Sequence, residues 1–415
     1  MEYLGEHLWA GYLGRFSVAL AAITALLAAY AYWKSEKLGQ QNPWKSFAKS
    51  VFSLHMISVF SIVGTLFYIM ANHYFEFDYV WKHTSLDLEP RYLFSAFWEG
   101  QEGSFILWLF WHAVLGGILM ATAKKWEAST MIVVSLVQFF LATMVLGVYL
   151  GSLKIGQSPF VLVREMPENI GLPWTQLENY LELIPAFADG SGLNPLLQNY
   201  WMTIHPPTLF LGFASTLIPF AFAIAALAKK DYKSWVGPAT PWAFFSVMIL
   251  GTGILMGGAW AYEALSFGGF WAWDPVENSS LVPWLVMVGA AHLLLIEKTR
   301  GGALKASLAF TILAFILILY STFLTRSGVL GDSSVHAFVD LGLSGQLLIY
   351  LLFFVLGSLG LFLWRRSDLP SEKKEDALSS REFWMFIGQM VLLVSALQIT
   401  STTSIPVFNT LFGPE

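Results

Sequence analysis

The chain has 415 residues, of which 56% are hydrophobic and 12% charged, with a mean hydropathy of +0.59. That composition excludes an ordinary soluble globular fold and describes a polytopic membrane protein. No nucleic-acid partner is expected, the net charge of −5 is otherwise uninformative, and the lack of any cysteine removes disulfides, thiolate metal sites and thiol redox chemistry.

A spanning helix needs about 20 apolar residues. Ten such runs follow in chain order, near 8–33, 51–71, 104–122, 130–150, 205–228, 240–262, 281–297, 306–325, 343–364 and 383–403. The predicted fold is an all-α polytopic membrane protein of about ten transmembrane helices, one integral membrane domain over 1–415. The first run has no basic segment before it and basic residues after it, which predicts a retained span rather than a cleaved signal.

Basic residues gather in alternate connections. Lys34, Lys37, Lys45 and Lys49 follow the first run, Lys124 and Lys125 the third, and Lys229, Lys230 and Lys233 the fifth. Lys298, Arg300 and Lys305 follow the seventh, and Arg365, Arg366, Lys373, Lys374 and Arg381 the ninth, making 17 of the 23 basic residues. The positive-inside rule makes these connections cytoplasmic. The connections 72–103, 151–204, 263–280 and 326–342 then face outward and, with the termini, hold 19 of the 28 acidic residues. Such a negative tilt attracts a basic partner.

The first outer connection ends in Tyr92-Leu-Phe-Ser-Ala-Phe-Trp-Glu-Gly-Gln-Glu-Gly-Ser104, aromatics suited to interface anchoring followed by a glycine-punctuated helix start. In the second, Trp174, Leu177, Leu181 and Ile184 recur at helical spacing, which predicts a short amphipathic helix on the outer leaflet. It closes on Ile204-His-Pro-Pro-Thr208, whose double proline is predicted to open the fifth span with His205 just before it.

The most unusual stretch is 267–284, containing Gly268-Gly-Phe-Trp-Ala-Trp-Asp-Pro-Val-Glu-Asn278. Asp274 as helix N-cap with Pro275 at the first helical position accounts for its ends. Two tryptophans and two carboxylates beside a hydrocarbon layer are costly, and their density asks for a ligand or partner. The segment from Thr322 to Phe338 brings Arg326 and His336 to the same outer level, so His205 and His336 flank the aromatic motif. Two imidazoles from separate connections suit axial ligation of a haem iron, tryptophans make flat walls for a porphyrin, and Arg326 suits a propionate. Asp274 and Glu277 are expected to orient the imidazoles.

His292 lies eleven residues into the seventh run, about 16 Å along the axis and near the bilayer midplane. An intramembrane histidine is a ligand candidate. Gly289-Ala-Ala291 before it leaves room for either a bulky ligand or close helix packing. A haem there needs a second ligand, and His112 in the third run has a matching depth.

Trp271-Ala-Trp-Asp-Pro-Val-Glu-Asn278 resembles the tryptophan-rich WWD signature of the haem-handling proteins of cytochrome c maturation. Its Pro-Val-Glu-Asn ending resembles the CcmF haem lyase branch rather than the CcsA branch. His205-Pro-Pro207, the Glu102-Gly-Ser104 turn, and Thr322-Phe-Leu-Thr-Arg-Ser-Gly-Val-Leu330 running to Val335-His-Ala-Phe338 carry the likeness from about 92 to 338.

The resemblance implies haem transfer to apocytochrome c, with a haem b delivered by the chaperone CcmE and thiols prepared by CcmH-type subunits. It implies a multi-pass protein of the bacterial plasma membrane, active on its outer face. By motif position the haem-binding residues are His205, His336, Trp271, Trp273, Asp274, Glu277, Asn278 and Arg326, and His292 matches the ligand of a second, b-type haem.

Three positions depart from the family pattern. Phe267 replaces a common tryptophan, the Gly331–Ser334 segment is slightly long, and the chain stops at Glu415 where relatives continue. A shortened or split member is the expectation, with a separate chain or His112 completing the second haem site, or with that haem lacking in this member. A haem or small-molecule transporter and a non-catalytic assembly subunit are the alternative functions, although no inverted repeat of broken spans supports the first.

Overall fold

The computed structural model describes residues 4–39, 42–151, 153–266, 268–330, 342–370 and 378–413. His336, Phe267 and Gly331–Ser334 lie outside the described residues. Among the described residues ten helices are long and apolar enough to cross a membrane, one for each predicted run. They are α1 Leu8–Leu38, α2 Pro43–Ala71, α3 Gln101–Thr122, α4 Glu127–Met144, α5 Tyr200–Lys229, α6 Val236–Ala264, α7 Pro275–Thr299, α8 Leu304–Arg326, α9 Ser344–Arg365 and α10 Arg381–Thr403.

Local chemistry sets the helix ends. Asn42 caps α2 by accepting the Lys45 amide, with Pro43 at the first helical position, and Ser380 caps α10 by accepting the Phe383 amide. α4 stops at Met144, short of the predicted 150, because Gly147 takes a left-handed φ of 65°. The chain then turns into a hairpin of β1, Val148–Leu150, and β2, Leu153–Ile155, paired antiparallel with Tyr149 opposite Lys154.

α1 to α4 pack as one group, with α1 against both α2 and α4 and α3 between α2 and α5. α1 presents a buried stripe of Ala10, Ala21, Ala25, Ala28 and Ala31, small residues that let backbones approach where lipid supplies no hydrophobic drive. α5 is the hub, touching α3, α4, α6, α8 and α9, and its buried residues run around the whole helix. α7 joins α6, α8 and α10.

The connections Asn72–Gly100 and 145–199 build a crown over one end of the bundle. Backbone bonds from Asp78 to Val161 O (3.0 Å) and from Val163 to Glu76 O (2.7 Å) stitch the two together, and the buried Glu6–Arg164 pair ties the crown to the start of α1. The expected amphipathic helix through Trp174–Ile184 is not formed. Pro173 and Pro185 divide the stretch into a 3-10 turn at Pro173–Gln176, one helical turn at Tyr180–Leu183 and another 3-10 turn at Pro185–Phe187. Trp174, Leu181 and Ile184 instead pack onto a small core of Val163, Tyr180 and Phe187, while Leu177 stays exposed.

Candidate functional site

The site is built where α5, α6, α7 and α8 meet at the crown end. Asn199 caps α5 by accepting the Trp201 amide at 2.8 Å, so the helix starts at Tyr200. This corrects the expectation for Ile204-His-Pro-Pro-Thr208: His205 and both prolines lie inside the helix rather than at its threshold. Pro206 has no amide to give the Met202 carbonyl, and Trp98 Nε1 donates to that oxygen instead, at 3.0 Å. The same substitution recurs in α7, where Pro283 releases the Ser279 carbonyl and Ser321 Oγ donates to it at 2.5 Å. In each case a side chain from a neighbouring helix satisfies a backbone group that lipid would leave bare.

His205 reaches from α5 to α6, where Nδ1 lies 2.8 Å from the Gly253 carbonyl oxygen. A carbonyl only accepts, so Nδ1 carries the hydrogen and Nε2 the lone pair, the tautomer a metal ligand requires. A backbone carbonyl therefore holds the Nδ1 side of the His205 ring. The approach depends on glycine. A Cβ at Gly257 would lie 2.7 Å from His205 Cε1, one at Gly253 2.8 Å from Leu209 Cα, and one at Gly212 2.7 Å from Leu250 Cα. Gly253-Ile-Leu-Met-Gly257 has the small-xxx-small spacing of close helix pairs, a signal that attention to charged and aromatic residues passes over.

His205 and Gly257 line a cavity of about 870 Å³, counted with its open mouth. Phe210, Phe213 and Trp271 give it apolar walls, Ser280, Thr322 and Thr325 give hydroxyls, and Arg326 gives a cation. The Trp271 Nε1–H is buried and has no hydrogen-bond partner among the described residues. Arg326 is buried, its guanidinium carbon 5.3 Å from the Phe105 ring centre and 5.7 Å from that of Phe210. Behind it Gln101 Nε2 donates to the Arg326 carbonyl at 3.0 Å, which brings the glycine-rich turn of 99–103 against the end of α8. An imidazole, a fixed cation and flat apolar walls in a space of this size suit a planar, dianionic, metal-bearing ligand.

The aromatic motif divides between two surfaces. Asp274 Oδ1 accepts the Val276 amide at 2.9 Å, and Glu277 Oε2 accepts the Asp274 and Ala272 amides at 3.1 and 2.9 Å. The two carboxylates form a capping box that starts α7 at Pro275, at the N-cap read from the sequence and six residues before the apolar run at 281. Trp273 is 62% exposed, with a left-handed φ of 57° that turns it away from Trp271, whose ring it meets edge-on. Trp273 and Asn278 line a separate groove against α10. There Asn278 Nδ2 donates to the Trp273 carbonyl (3.0 Å) and to Thr403 Oγ1 (3.2 Å). Of the predicted residues the cavity thus gathers His205, Trp271, Glu277 and Arg326. Trp273, Asp274 and Asn278 are not among its lining residues.

His292 donates from Nδ1 to the Val288 carbonyl of its own helix at 2.8 Å. Because α7 begins at Pro275, His292 lies about 8 Å beyond the helix centre toward the lysine-rich end rather than midway. Gly289 serves packing: a Cβ there would meet the Phe310 ring at 2.9 Å and Gln389 Cγ at 3.9 Å. His112, expected as a substitute ligand, is fully buried on α3, its ring 5.5 Å from that of Trp108 and neither ring nitrogen hydrogen-bonded among the described residues.

Residues 98–330, which hold α3 to α8 and this cavity, match the family described as cytochrome c assembly protein. The chain is 31% identical over 405 residues to the cytochrome c-type biogenesis protein CcmF of Haemophilus influenzae, covering 97% of this chain and 58% of that protein. It is 35% identical over 407 residues to the CcmF of Pseudomonas fluorescens, covering 96% of this chain and 56% of the relative. A solved structure of the cytochrome c haem lyase CcmF superposes with a TM-score of 0.74 at 25% identity, over 96% of this chain and 57% of that one. The chain therefore spans a little over half the length of the relatives it matches.

Proposed function

This chain belongs to the cytochrome c assembly protein family, and from that premise we propose that its crown-end cavity holds a haem in transit to apocytochrome c. The single observation that supports this most is the His205 imidazole, held by the Gly253 carbonyl in the tautomer that leaves Nε2 without a proton, in the wall of a cavity that also contains Trp271 and Arg326. His336, from the connection after α8, is the proposed ligand on the other axial side, and its alanine variant tests that role separately.

In this reading the bound haem supplies the iron and the vinyl carbons, and the protein supplies placement. His205 sets the distance and tilt of the ring. Arg326 pairs with a propionate and stays rigid because Phe105, Phe210 and Gln101 hold it. Trp271 and Phe213 exclude water from one face. The exposed Trp273 is the surface offered to an arriving protein, the haem chaperone CcmE or apocytochrome c with thiols kept reduced by CcmH-type subunits. Holding the vinyl groups still beside the incoming thiols is the contribution to rate.

The lysine-rich end faces the cytoplasm in this assignment and the cavity faces the periplasm of a bacterial inner membrane. His292, whose Nδ1–H is held by Val288, is the proposed ligand of a second haem b within the bilayer.

The test is the absorption spectrum of the purified chain loaded with haem. A reduced alpha band that is lost in His205→Ala at unchanged thermal stability supports the reading. Haem uptake into liposomes with no stably bound haem would replace it with transport. If His292→Ala leaves the spectrum unchanged, the second haem is discarded.

A further inference from the structure

At the end of the bundle opposite the cavity, the end of α1, the start of α2, the α3–α4 turn and the end of α5 enclose a pocket of about 310 Å³. Its lining includes Lys45, Lys124, Lys125 and Lys229 against a single carboxylate, Glu36. Lys45 and Lys49 share the buried Glu127 at 3.1 and 3.3 Å, Lys125 pairs with Asp231 at 3.0 Å and Lys229 with Glu36 at 2.5 Å. Lys124 makes no ion pair among the described residues. An ammonium has three donors, so a lysine held by one carboxylate still has hydrogens for another anion.

The pocket is shaped rather than incidental. Asn42, the cap of α2, donates from Nδ2 to the Ser35 carbonyl at 3.1 Å and ties the start of α2 to the end of α1. Lys124 takes a left-handed φ of 52° in the tight link between α3 and α4, a conformation a side-chain-bearing residue rarely adopts and one that clusters at ligand clamps. Trp126 forms a buried platform beneath, with Lys125 Nζ 5.4 Å and Lys229 Nζ 5.6 Å from its ring centre.

A second, independent feature fixes the depth. On α1 and α2 the exposed Tyr30 and Trp33 group with the half-buried Trp44, Tyr30 to Trp33 at 5.8 Å and Tyr30 to Trp44 at 5.9 Å, with Lys37 Nζ 3.9 Å above Trp33. Aromatic belts of this kind mark the headgroup level of a bilayer. A cationic pocket at headgroup depth, between helices and on the lysine-rich side, suits the phosphate of an anionic phospholipid.

We propose that Lys45, Lys124, Lys125 and Lys229 bind the phosphate of an anionic phospholipid of the cytoplasmic leaflet. The lipid bridges α2, the α3–α4 turn and α5, and so clamps the helix that carries His205 to the first helical group.

The full chain is incorporated into vesicles of phosphatidylcholine alone or with phosphatidylglycerol, and acetylation of each lysine is read by mass spectrometry. Phosphatidylglycerol is expected to protect Lys124 and Lys229, while Lys154 at the other end is unchanged. In native mass spectrometry Lys124→Gln is expected to retain phosphatidylglycerol about fivefold less well, the effect of removing one basic residue at a charged surface. Lys154→Gln is expected to match the parent. Equal protection in both vesicles, or equal retention by parent and Lys124→Gln, overturns the proposal. If inorganic phosphate in phosphatidylcholine vesicles protects the same lysines as well as phosphatidylglycerol does, a soluble phosphoanion is the ligand and the lipid is overturned as its source.

Discussion

The His205 imidazole lies against Gly257 so closely that a single added methyl group would stand 2.7 Å from its Cε1. The ring can donate to the Gly253 carbonyl only because two residues one turn apart on α6 lack side chains. Position, tautomer and access of the proposed ligand are therefore decided by the helix opposite the one that carries it.

Gly257→Ala is expected to push the imidazole out of register and Gly257→Val to do so more, weakening haem binding by roughly tenfold or more, since ligand geometry tolerates little displacement. Both lose about 1–3 kcal/mol of stability from overpacking. Gly212→Ala, whose Cβ would meet Leu250 at the same crossing, is the control. It is expected to destabilise comparably without moving His205, so thermal melts and haem titration of the three variants separate the two effects.

The capping box predicts an asymmetry at Asp274. Asp274→Ala removes the acceptor for the Val276 amide and is expected to cost about 1 kcal/mol. Asp274→Asn keeps a capping oxygen and is expected to be nearly neutral. A loss of haem binding by the asparagine variant at full stability would show that the charge itself serves the ligand. Thermal unfolding in detergent, paired with haem titration, checks both.

Arg326 predicts selectivity for free propionates. Arg326→Met is expected to weaken haem binding by about ten- to a hundredfold, the range of a charge-assisted hydrogen bond of 1.5–3 kcal/mol. The dimethyl ester of haem is expected to bind parent and variant alike. Equal losses for acid and ester would assign Arg326 to packing only. Arg326→Lys is expected to recover part of the difference but not the planar stacking between Phe105 and Phe210.

Asn278 ties the start of α7 to the end of α10 through Thr403. Asn278→Ala is expected to cost about 1 kcal/mol and to raise hydrogen exchange in α10, while haem binding at the cavity changes little. Exchange confined to α10 is the readout, and equal change across α5 and α6 would contradict it.

In the crown, burial raises the carboxyl pKa of Asp78 above its ordinary value, opposed by its ion pair with Lys82. The folded state therefore holds that proton to higher pH than the unfolded state. The resulting stability is present below the ordinary carboxylate range and is lost as pH rises through the raised value. Asp78→Asn is expected to flatten this dependence, so that the fall in melting temperature between pH 4 and pH 7 becomes smaller than in the parent.

Much of this was legible from residue order alone, because it rests on local rules. Each of the ten runs became a helix, as hydrocarbon leaves a backbone few other ways to satisfy its polar groups. Asp274 and Pro275 announced the start of α7 by the chemistry of a helix end. The concentration of tryptophan, histidine and arginine marked the neighbourhood of the cavity.

What the chain order could not show depends on how helices turn against one another. Trp271 and Trp273 are two residues apart, yet one walls the cavity and the other stands outside it, because Trp273 adopts a left-handed backbone. Asn278 follows Glu277 directly but points to α10, since neighbours along a helix project about 100° apart. Tertiary packing also decided that Pro206 and Pro283 lie inside helices, because Trp98 and Ser321 arrive from distant segments to take the carbonyls they release. Composition and spacing determined that there would be ten helices and where their special residues cluster. Only the packed bundle decided which of those residues share a cavity, because that depends on helix rotation and on glycine-permitted contact across the bundle.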